Sequence, residues 1–420
     1  MKNYYHRIMD NILKIELDAF GGVLIVGPKW CGKTTTANQV AKSAIYMQNP
    51  EKKENYGQLA KIQPSLILKG EKPRLIDEWQ MAPELWDAIR FDIDQKGEEG
   101  LYILTGSTVV DESNIAHSGT GRISRLIMRT MTLYESNDSN GAISLSELFI
   151  GKHEVSASSD ISITDIAKLI VRGGWPNTIN KEISIAKRQI AGYCEAIANI
   201  DISLVDGVKR DSSRVKSIMR SLARHTANRT TNTTILSDLN TNNENMNIDT
   251  LSDYIKALEK LFIVEDLPAW SPQLRSKTTI RTSKTRHFID PAIAAHMLGA
   301  SPEDLLFDLE TMGFLFESLV VRDLRVYSQQ LEGEVYHYRD KNGLEVDAIV
   351  SLNNGKWGAV EVKLGHNRID EGAKNLLKIS SLIDDKKMNK PSFLMVITGT
   401  QYAYKRKDGV LVVPISCLKY

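Results

Sequence analysis

At 420 residues the chain has room for two to four domains, and 42% hydrophobic with 25% charged residues is the profile of a folded chain, not a disordered one. Lys plus Arg (53) nearly equals Asp plus Glu (52), so no global positive field advertises nucleic acid, and any such binding needs a local patch. The scattered Cys31, Cys194 and Cys417 lack C-x-x-C spacing and suggest a reducing compartment without a zinc site. With no signal-peptide core and no apolar run of about 18 residues, the expectation is a cytoplasmic protein with no membrane span.

The opening "MKNYYHRIMDNILKIELDAF" reads as an amphipathic helix. "GGVLIV" then reads as a buried strand, with Val23 to Val26 apolar and mostly β-branched after a Gly21–Gly22 turn. Behind it Gly27, Gly32, Lys33 and Thr34 match G-x-x-x-x-G-K-[ST], and "TTTANQVAKSAI" is predicted to continue as a helix. The glycines let backbone N–H groups curl around phosphates. Lys33 reaches the β and γ phosphates, Thr34 offers a hydroxyl to Mg²⁺, and Thr35 joins the nucleotide-binding set. The pattern predicts a nucleotide site, with ATP or ADP and Mg²⁺ as the expected ligands.

Hydrolysis needs an acidic pair, and "KPRLIDEWQ" supplies Asp77 for the Mg²⁺ shell and Glu78 to polarise the attacking water. A surface acid pair at a turn is the rival reading. "GLYILTGST" is a second apolar strand whose end, Thr105 to Ser107, places a hydroxyl beside the γ-phosphate. "HSGTGRISRL" offers Arg122 and Arg125 as candidate arginine fingers, often supplied in trans by a neighbouring subunit of a homo-oligomer. Two solvated arginines at a domain edge are the alternative.

The order P-loop, "RLIDEWQ", "ILTGS", "HSGTGRI" and "RGGWPN" resembles the AAA+-type ATPases of bacteria and archaea that carry a C-terminal uncharacterised, nuclease-like domain. The resemblance implies nucleotide and Mg²⁺ roles for Lys33, Thr34, Asp77 and Glu78, a sensor hydroxyl at the strand end (Thr105, Ser107), and fingers in the "GRI" segment. It also implies that Gly174 and Pro176 of "GGWP" touch adenine; by residue type alone, that stretch is a turn closing the helix "SITDIAKLIVRG". The short distance from P-loop to acid pair leaves little room for a strand between them.

Residues 1–150 are therefore expected to form the ATPase core and 151–225 a helical lid. Residues 226–300 follow as a winged-helix-like unit, in which Arg275, Lys277, Arg281, Lys284 and Arg286 either lie on phosphates or form a solvated hairpin. Trp270 reads as core, and His225 and His287 as structural. Residues 301–420 begin with a helix burying Phe314, Phe316, Leu319 and Val320 around Glu317, followed by three strands with Asn-Gly-type turns. Strand alternation puts Glu361 and Lys363 on one face. Helix Glu317, Asp347 and Glu361-x-Lys363 form the PD-(D/E)xK nuclease arrangement. Glu317, Asp347 and Glu361 would bind Mg²⁺, and Lys363 would position or deprotonate the attacking water on DNA. A structural charge cluster or a binding face is the alternative. A last helix and two strands complete an α/β sandwich, with an aromatic-basic turn at Tyr402 to Lys407 read as solvated.

The predicted fold class is α/β: a P-loop, AAA+-like parallel sheet, a helical lid and winged-helix-like linker, and a C-terminal restriction-endonuclease-like domain. The predicted function is an ATPase coupled to a domain that binds or cleaves DNA. The alternative is a nucleotide-dependent switch whose C-terminal domain recognises a partner.

Overall fold

The computed structural model describes residues 4–108, 119–241, 246–271, 284–384 and 388–420. Arg275, Lys277 and Arg281 of the expected basic wing lie outside the described residues, as do His117 and Ser118 of the Gly-rich loop. The chain divides into two compact units. The first holds residues 1–130, 201–209 and 257–262; the second holds 131–200, 210–256 and 263–420.

The first unit is built on five parallel strands: β1 (Gly22–Val26), β2 (Ser43–Tyr46), β3 (Arg74–Asp77), β4 (Tyr102–Gly106) and β5 (Ile123–Ile127). Their order is β2-β3-β4-β1-β5. Val23 to Ile25 are inaccessible at the sheet centre, as a parallel strand covered on both faces requires. Leu24, Ile76 and Leu104 pack under Trp79, Leu85, Trp86 and Ile89, the last three on helix Leu85–Lys96.

The expected helix after the P-loop is corrected in length. It runs only from Lys33 to Asn38, and the freed residues form β2, which pairs in parallel with β3 from Ser43↔Arg74 to Tyr46↔Asp77. The room judged too small for an intervening strand is found by stopping the helix early. With β1 between β4 and β5, and β3 next to β4, the carboxyl ends of β1, β3 and β4 lie side by side. Such strand ends, at a point where the order reverses, are where open α/β sheets bind ligands.

In the second unit a seven-stranded mixed sheet uses β7 (Ser156–Ser158), β8 (Gly333–Arg339), β9 (Glu345–Leu352), β10 (Trp357–Lys363), β11 (Leu394–Thr398), β12 (Tyr402–Lys405) and β13 (Leu411–Pro414), in the order β7-β12-β13-β11-β10-β9-β8. The expected antiparallel meander is β8-β9-β10. Beyond it lie more strands than the two expected, because β11 and β13 pair in parallel next to β10 and β12 returns antiparallel. A two-stranded pair joins β6 (Ile143–Ser144) to β14 (Leu418–Lys419).

The core of this sheet includes Ile349, Trp357, Ala359 and Val396 against Ile369, Ala373 and Leu376 of helix Ile369–Leu382. Trp270 belongs to the same core, its ring 4.7 Å from that of Trp357. Helix Leu309–Gln330 buries Phe316, Leu319 and Val320 as expected. Phe314 is instead only partly covered, because it lines a cavity.

Helix Ser212–Arg224 falls within the expected lid, and helices Asn232–Thr241 and Ile248–Lys260 within the expected winged-helix region. The strands expected after them appear among the described residues only as isolated bridges, Val264↔Phe288 and Leu267↔Thr285. Arg286 does not face solvent there. It is 2.5 Å from Asp266 and donates to Asn232 and to the Thr230 carbonyl, so burial and a charged partner hold it inside the unit. Arg406 of the aromatic-basic turn is likewise tied to Asp370 and Asp408.

Candidate functional site

At the end of β1 the chain turns through Gly27 (φ 150°), where a Cβ would sit 2.1 Å from the Met128 carbonyl oxygen, and returns through Gly32 (φ 107°). Both conformations favour glycine, and at Gly27 the close approach also excludes any side chain. Lys33 is buried and donates to the carbonyls of Gly27 and Pro28, 2.9 Å each, so its ammonium is folded back across the loop.

Two strand ends and the helix behind the P-loop meet over one carboxylate. Asp77 Oδ1 accepts from the Thr34 hydroxyl at 2.6 Å and from the Thr105 hydroxyl at 2.7 Å. The Thr105 oxygen in turn accepts from the Glu78 amide at 3.2 Å. Glu78 has a left-handed backbone (φ 54°, ψ 49°), a strained state for a side chain of this kind. Its carboxylate accepts from Ser107 at 3.1 Å and from Gln80 at 2.5 Å. Thr34, Asp77, Glu78, Thr105 and Ser107 are thus joined in one hydrogen-bonded group, while the Lys33 ammonium bonds to the loop carbonyls. Gln80 was not singled out in the sequence; its only signal there is its position two residues after Glu78.

The two arginines stand on or next to edge strand β5. Arg122 pairs with Asp94 at 2.8 Å, and the Arg125 guanidinium lies 5.4 Å from the centre of the Trp86 ring. Gly174 and Pro176 belong to the second unit. There the Gly174 carbonyl accepts from the Met131 amide at 2.7 Å, and its own amide donates to Asp290 at 3.0 Å. Trp175 is buried beside Tyr193.

Within the second unit a cavity of about 1180 Å³ is lined by Glu317, Asp347, Glu361 and Lys363. Lys363 Nζ is 2.6 Å from Glu361 and 3.4 Å from Asp347, whose Oδ2 also accepts from the Val362 amide at 2.8 Å. Asn375 donates to the other Glu361 oxygen at 3.2 Å. Burial, then the Asp347 charge, pushes the Glu361 carboxyl up to about 8, and the same two causes hold Glu317 well above the ordinary carboxylate range. The surrounding acids hold the Lys363 ammonium in its charged form despite burial. Among the described residues, no group of three or more His, Cys, Asp or Glu side chains is spaced to hold a metal ion.

The cavity is also lined by His225, Arg229 and Glu345. His225 Nε2 lies 3.0 Å from Asp238, which also accepts from Ser221, and Arg229 pairs with Glu345 at 2.8 Å. His225, expected to be structural, finds its partner on the next helix, which residue spacing does not reveal.

All three cysteines are free and buried. No helix among the described residues is long and apolar enough to cross a membrane.

Residues 20–137 match an AAA domain. Residues 163–304 match a domain of unknown function (DUF8612), and residues 312–418 a second one (DUF4143). No curated protein matches the chain. Among solved structures it is similar to the Walker-type ATPase paby2304 of Pyrococcus abyssi, at 15% identity and a TM-score of 0.43, over 70% of this chain and 96% of that one. It is also similar to the signal transduction ATPase with numerous domains PH0952 from Pyrococcus horikoshii, which has a tetratricopeptide repeat sensor, at 12% identity and a TM-score of 0.22, over 79% of this chain and 50% of that one. From its AAA-domain match and the P-loop set on a parallel sheet, the first part of the chain is an AAA-type P-loop ATPase domain.

Proposed function

We propose that the first unit binds ATP and hydrolyses it with Mg²⁺, and that the second unit responds to that event through its charged cavity. The observation that carries the reading is the convergence of Thr34 and Thr105 on Asp77, next to Glu78 in its strained turn. The Thr34 hydroxyl and Asp77 carboxylate are hard oxygen donors within 2.6 Å of each other, which suits Mg²⁺, the ion that would neutralise phosphate charge.

On this reading the amides of residues 27 to 35 cradle the phosphates. Lys33 exchanges the carbonyls of Gly27 and Pro28 for phosphate oxygens. Glu78 holds the attacking water and draws its proton, Ser107 and Gln80 orient the Glu78 carboxylate, and Thr105 ties the Glu78 backbone to Asp77. Arg122 and Arg125, at the open edge of the sheet, serve a neighbouring copy as fingers, and Gly174 and Pro176 serve the adenine. Calorimetry and phosphate release test this together: Lys33→Ala must lose nucleotide, while Glu78→Gln must bind it and stop turning over. Equal ATPase rates for Glu78→Gln and the wild type would remove Glu78 from the mechanism.

For the second unit the reading is a nuclease-like, DNA-binding or DNA-cleaving domain with a winged-helix-like element before it. Glu317, Asp347, Glu361 and Lys363 form its candidate centre. The carboxylates offer hard oxygens, but the Lys363 ammonium lies against those of Glu361 and Asp347, so the residues as arranged suit a charge cluster better than a metal centre. That same pairing favours the alternative, a switch whose C-terminal domain recognises a partner. A Mg²⁺-dependent nuclease assay with Asp347→Ala and Lys363→Ala controls separates the two. Cleavage lost in both variants supports the nuclease reading, and no cleavage by the wild type on any DNA form supports the switch.

A further inference from the structure

We propose that Arg7 and Tyr4, outside every recognised motif, are positioning residues that clamp the P-loop in its phosphate-ready shape. Arg7 is 6% exposed although it is a long cation near the start of the chain, so its burial has to be offset by partners. Its guanidinium donates to the carbonyl of Cys31, inside the P-loop, at 2.7 Å, and to the carbonyl of Arg129, just after β5, at 2.9 Å. One planar group thereby ties the crest of the loop to the chain leaving the neighbouring strand. A lysine is a poor substitute there, since its single ammonium lacks the fork that spans two carbonyls.

A second tie runs through Tyr4. Its hydroxyl donates to Asp10 at 2.5 Å and lies 3.0 Å from the hydroxyl of buried Thr36, on the short helix that follows the loop. Asp10 also accepts from the Arg7 amide at 2.9 Å, so Tyr4, Arg7 and Asp10 form one hydrogen-bonded group. The loop itself leans on the same post-β5 segment. The Cys31 thiol donates to the Met128 carbonyl at 3.4 Å, and Gly27 packs on that same carbonyl. The P-loop is thus anchored at its start, at its crest and in the helix behind it, and the crest and helix anchors depend on residues 4–10.

The assignment to phosphate binding rests on the nucleotide reading above, whereas the clamp itself has a readout that needs no nucleotide. Cys31 is wholly buried, and thiol modification follows access. Iodoacetamide labelling of the full-length native protein, mapped by mass spectrometry, reports whether the loop crest is held; buried Cys194 and Cys417 of the second unit serve as internal controls. Arg7→Ala is expected to speed Cys31 labelling roughly tenfold and to weaken binding of a non-hydrolysable ATP analogue roughly tenfold, as loss of charge-assisted hydrogen bonds to two carbonyls predicts. Turnover at saturating ATP should change less than affinity, because the Cys31 and Arg129 carbonyls that Arg7 holds shape the loop and are not among the groups proposed to act on water. Arg7→Lys should restore only part of the affinity, and Tyr4→Phe should act in the same direction more weakly.

The proposal is overturned if Arg7→Ala labels at Cys31 and binds the analogue as the wild type does. It is equally overturned if Cys31, Cys194 and Cys417 all become reactive together, since that is general unfolding. A wild type that binds no nucleotide, while Arg7→Ala still releases Cys31, would sink the nucleotide reading and with it the positioning role, leaving a structural brace.

Discussion

The two charged regions of the molecule solve the same problem differently. At the P-loop site three charges are held by neutral partners, Asp77 by two hydroxyls, Lys33 by two carbonyls and Glu78 by Ser107 and Gln80, while Lys29 on the same loop pairs with buried Asp201 at 2.6 Å. In the second unit, charge meets charge: Lys363 with Asp347, Arg322 with Asp290 and Asp323. Neutral partners can be exchanged for an incoming anion at modest cost, because no opposite charge is left stranded. Breaking a buried ion pair leaves an uncompensated charge and costs far more. The first arrangement suits a site that must open to a ligand; the second suits one whose charges keep each other in place.

The largest effect should come from Glu78, proposed above to hold the attacking water. Glu78→Gln should lower ATP turnover about a hundredfold or more while leaving nucleotide affinity within a few-fold, checked by phosphate release and calorimetry. Loss of affinity along with turnover would mean that Glu78 holds the loop and not the water.

Next is the stability of the paired region. Arg322 is 2% exposed and joins Asp290 at 3.0 Å to Asp323 at 2.7 Å, while Asp323 also accepts from the Leu133 amide. Arg322→Ala strands two buried carboxylates and should cost about 3–5 kcal/mol in thermal or denaturant unfolding. A change under about 1 kcal/mol would contradict the contrast drawn between the two regions.

The arginines at the sheet edge come third. Arg125→Ala should reduce turnover at least about tenfold at high protein concentration without altering nucleotide affinity, and the loss should be relieved by mixing with a subunit that supplies the finger. An equal defect at all protein concentrations would place Arg125 in its own subunit's structure.

The smallest effect is a pH dependence confined to the second unit. Glu361 has a folded pKa of about 8, above its unfolded value, so the folded state binds the proton more tightly. Its contribution to stability is complete below about pH 4.3 and is lost as the pH rises through about 8. The unfolding midpoint of the wild type should therefore fall by a few degrees between pH 5.5 and 8.5, and Glu361→Gln should flatten that slope. An unchanged slope would assign it to other groups, Glu317 first among them.

The residues legible in the sequence were those whose chemistry is written in contiguous spacing. Gly27, Gly32, Lys33 and Thr34 lie within eight positions, and the loop they form dictates its own geometry. Asp77 and Glu78 could be named because a strand must end beside the loop, and Glu361 with Lys363 because strand alternation puts both on one face. The helix after the loop stops earlier than its residue propensities predict, for a physical reason. Residues 39–45 have acceptable helix propensity, yet pairing of Ser43–Tyr46 with Arg74–Asp77 overrides it.

Other partnerships left no local trace. Arg7 meets carbonyls 24 and 122 residues away, and His225 meets an aspartate on the following helix. Arg286, counted in a basic stretch, turned inward because Asp266 is there to receive it. Charge runs read along a chain do not reveal which members find a partner in space.

The central claim is that the loop from Gly27 to Thr34 holds a triphosphate. Titration of the full-length protein with a non-hydrolysable ATP analogue and Mg²⁺ in a calorimeter tests it directly. Saturable binding by the wild type that vanishes in Lys33→Ala is the result expected here. A wild type that takes up no nucleotide, or a Lys33→Ala variant that binds as tightly as its parent, would contradict it.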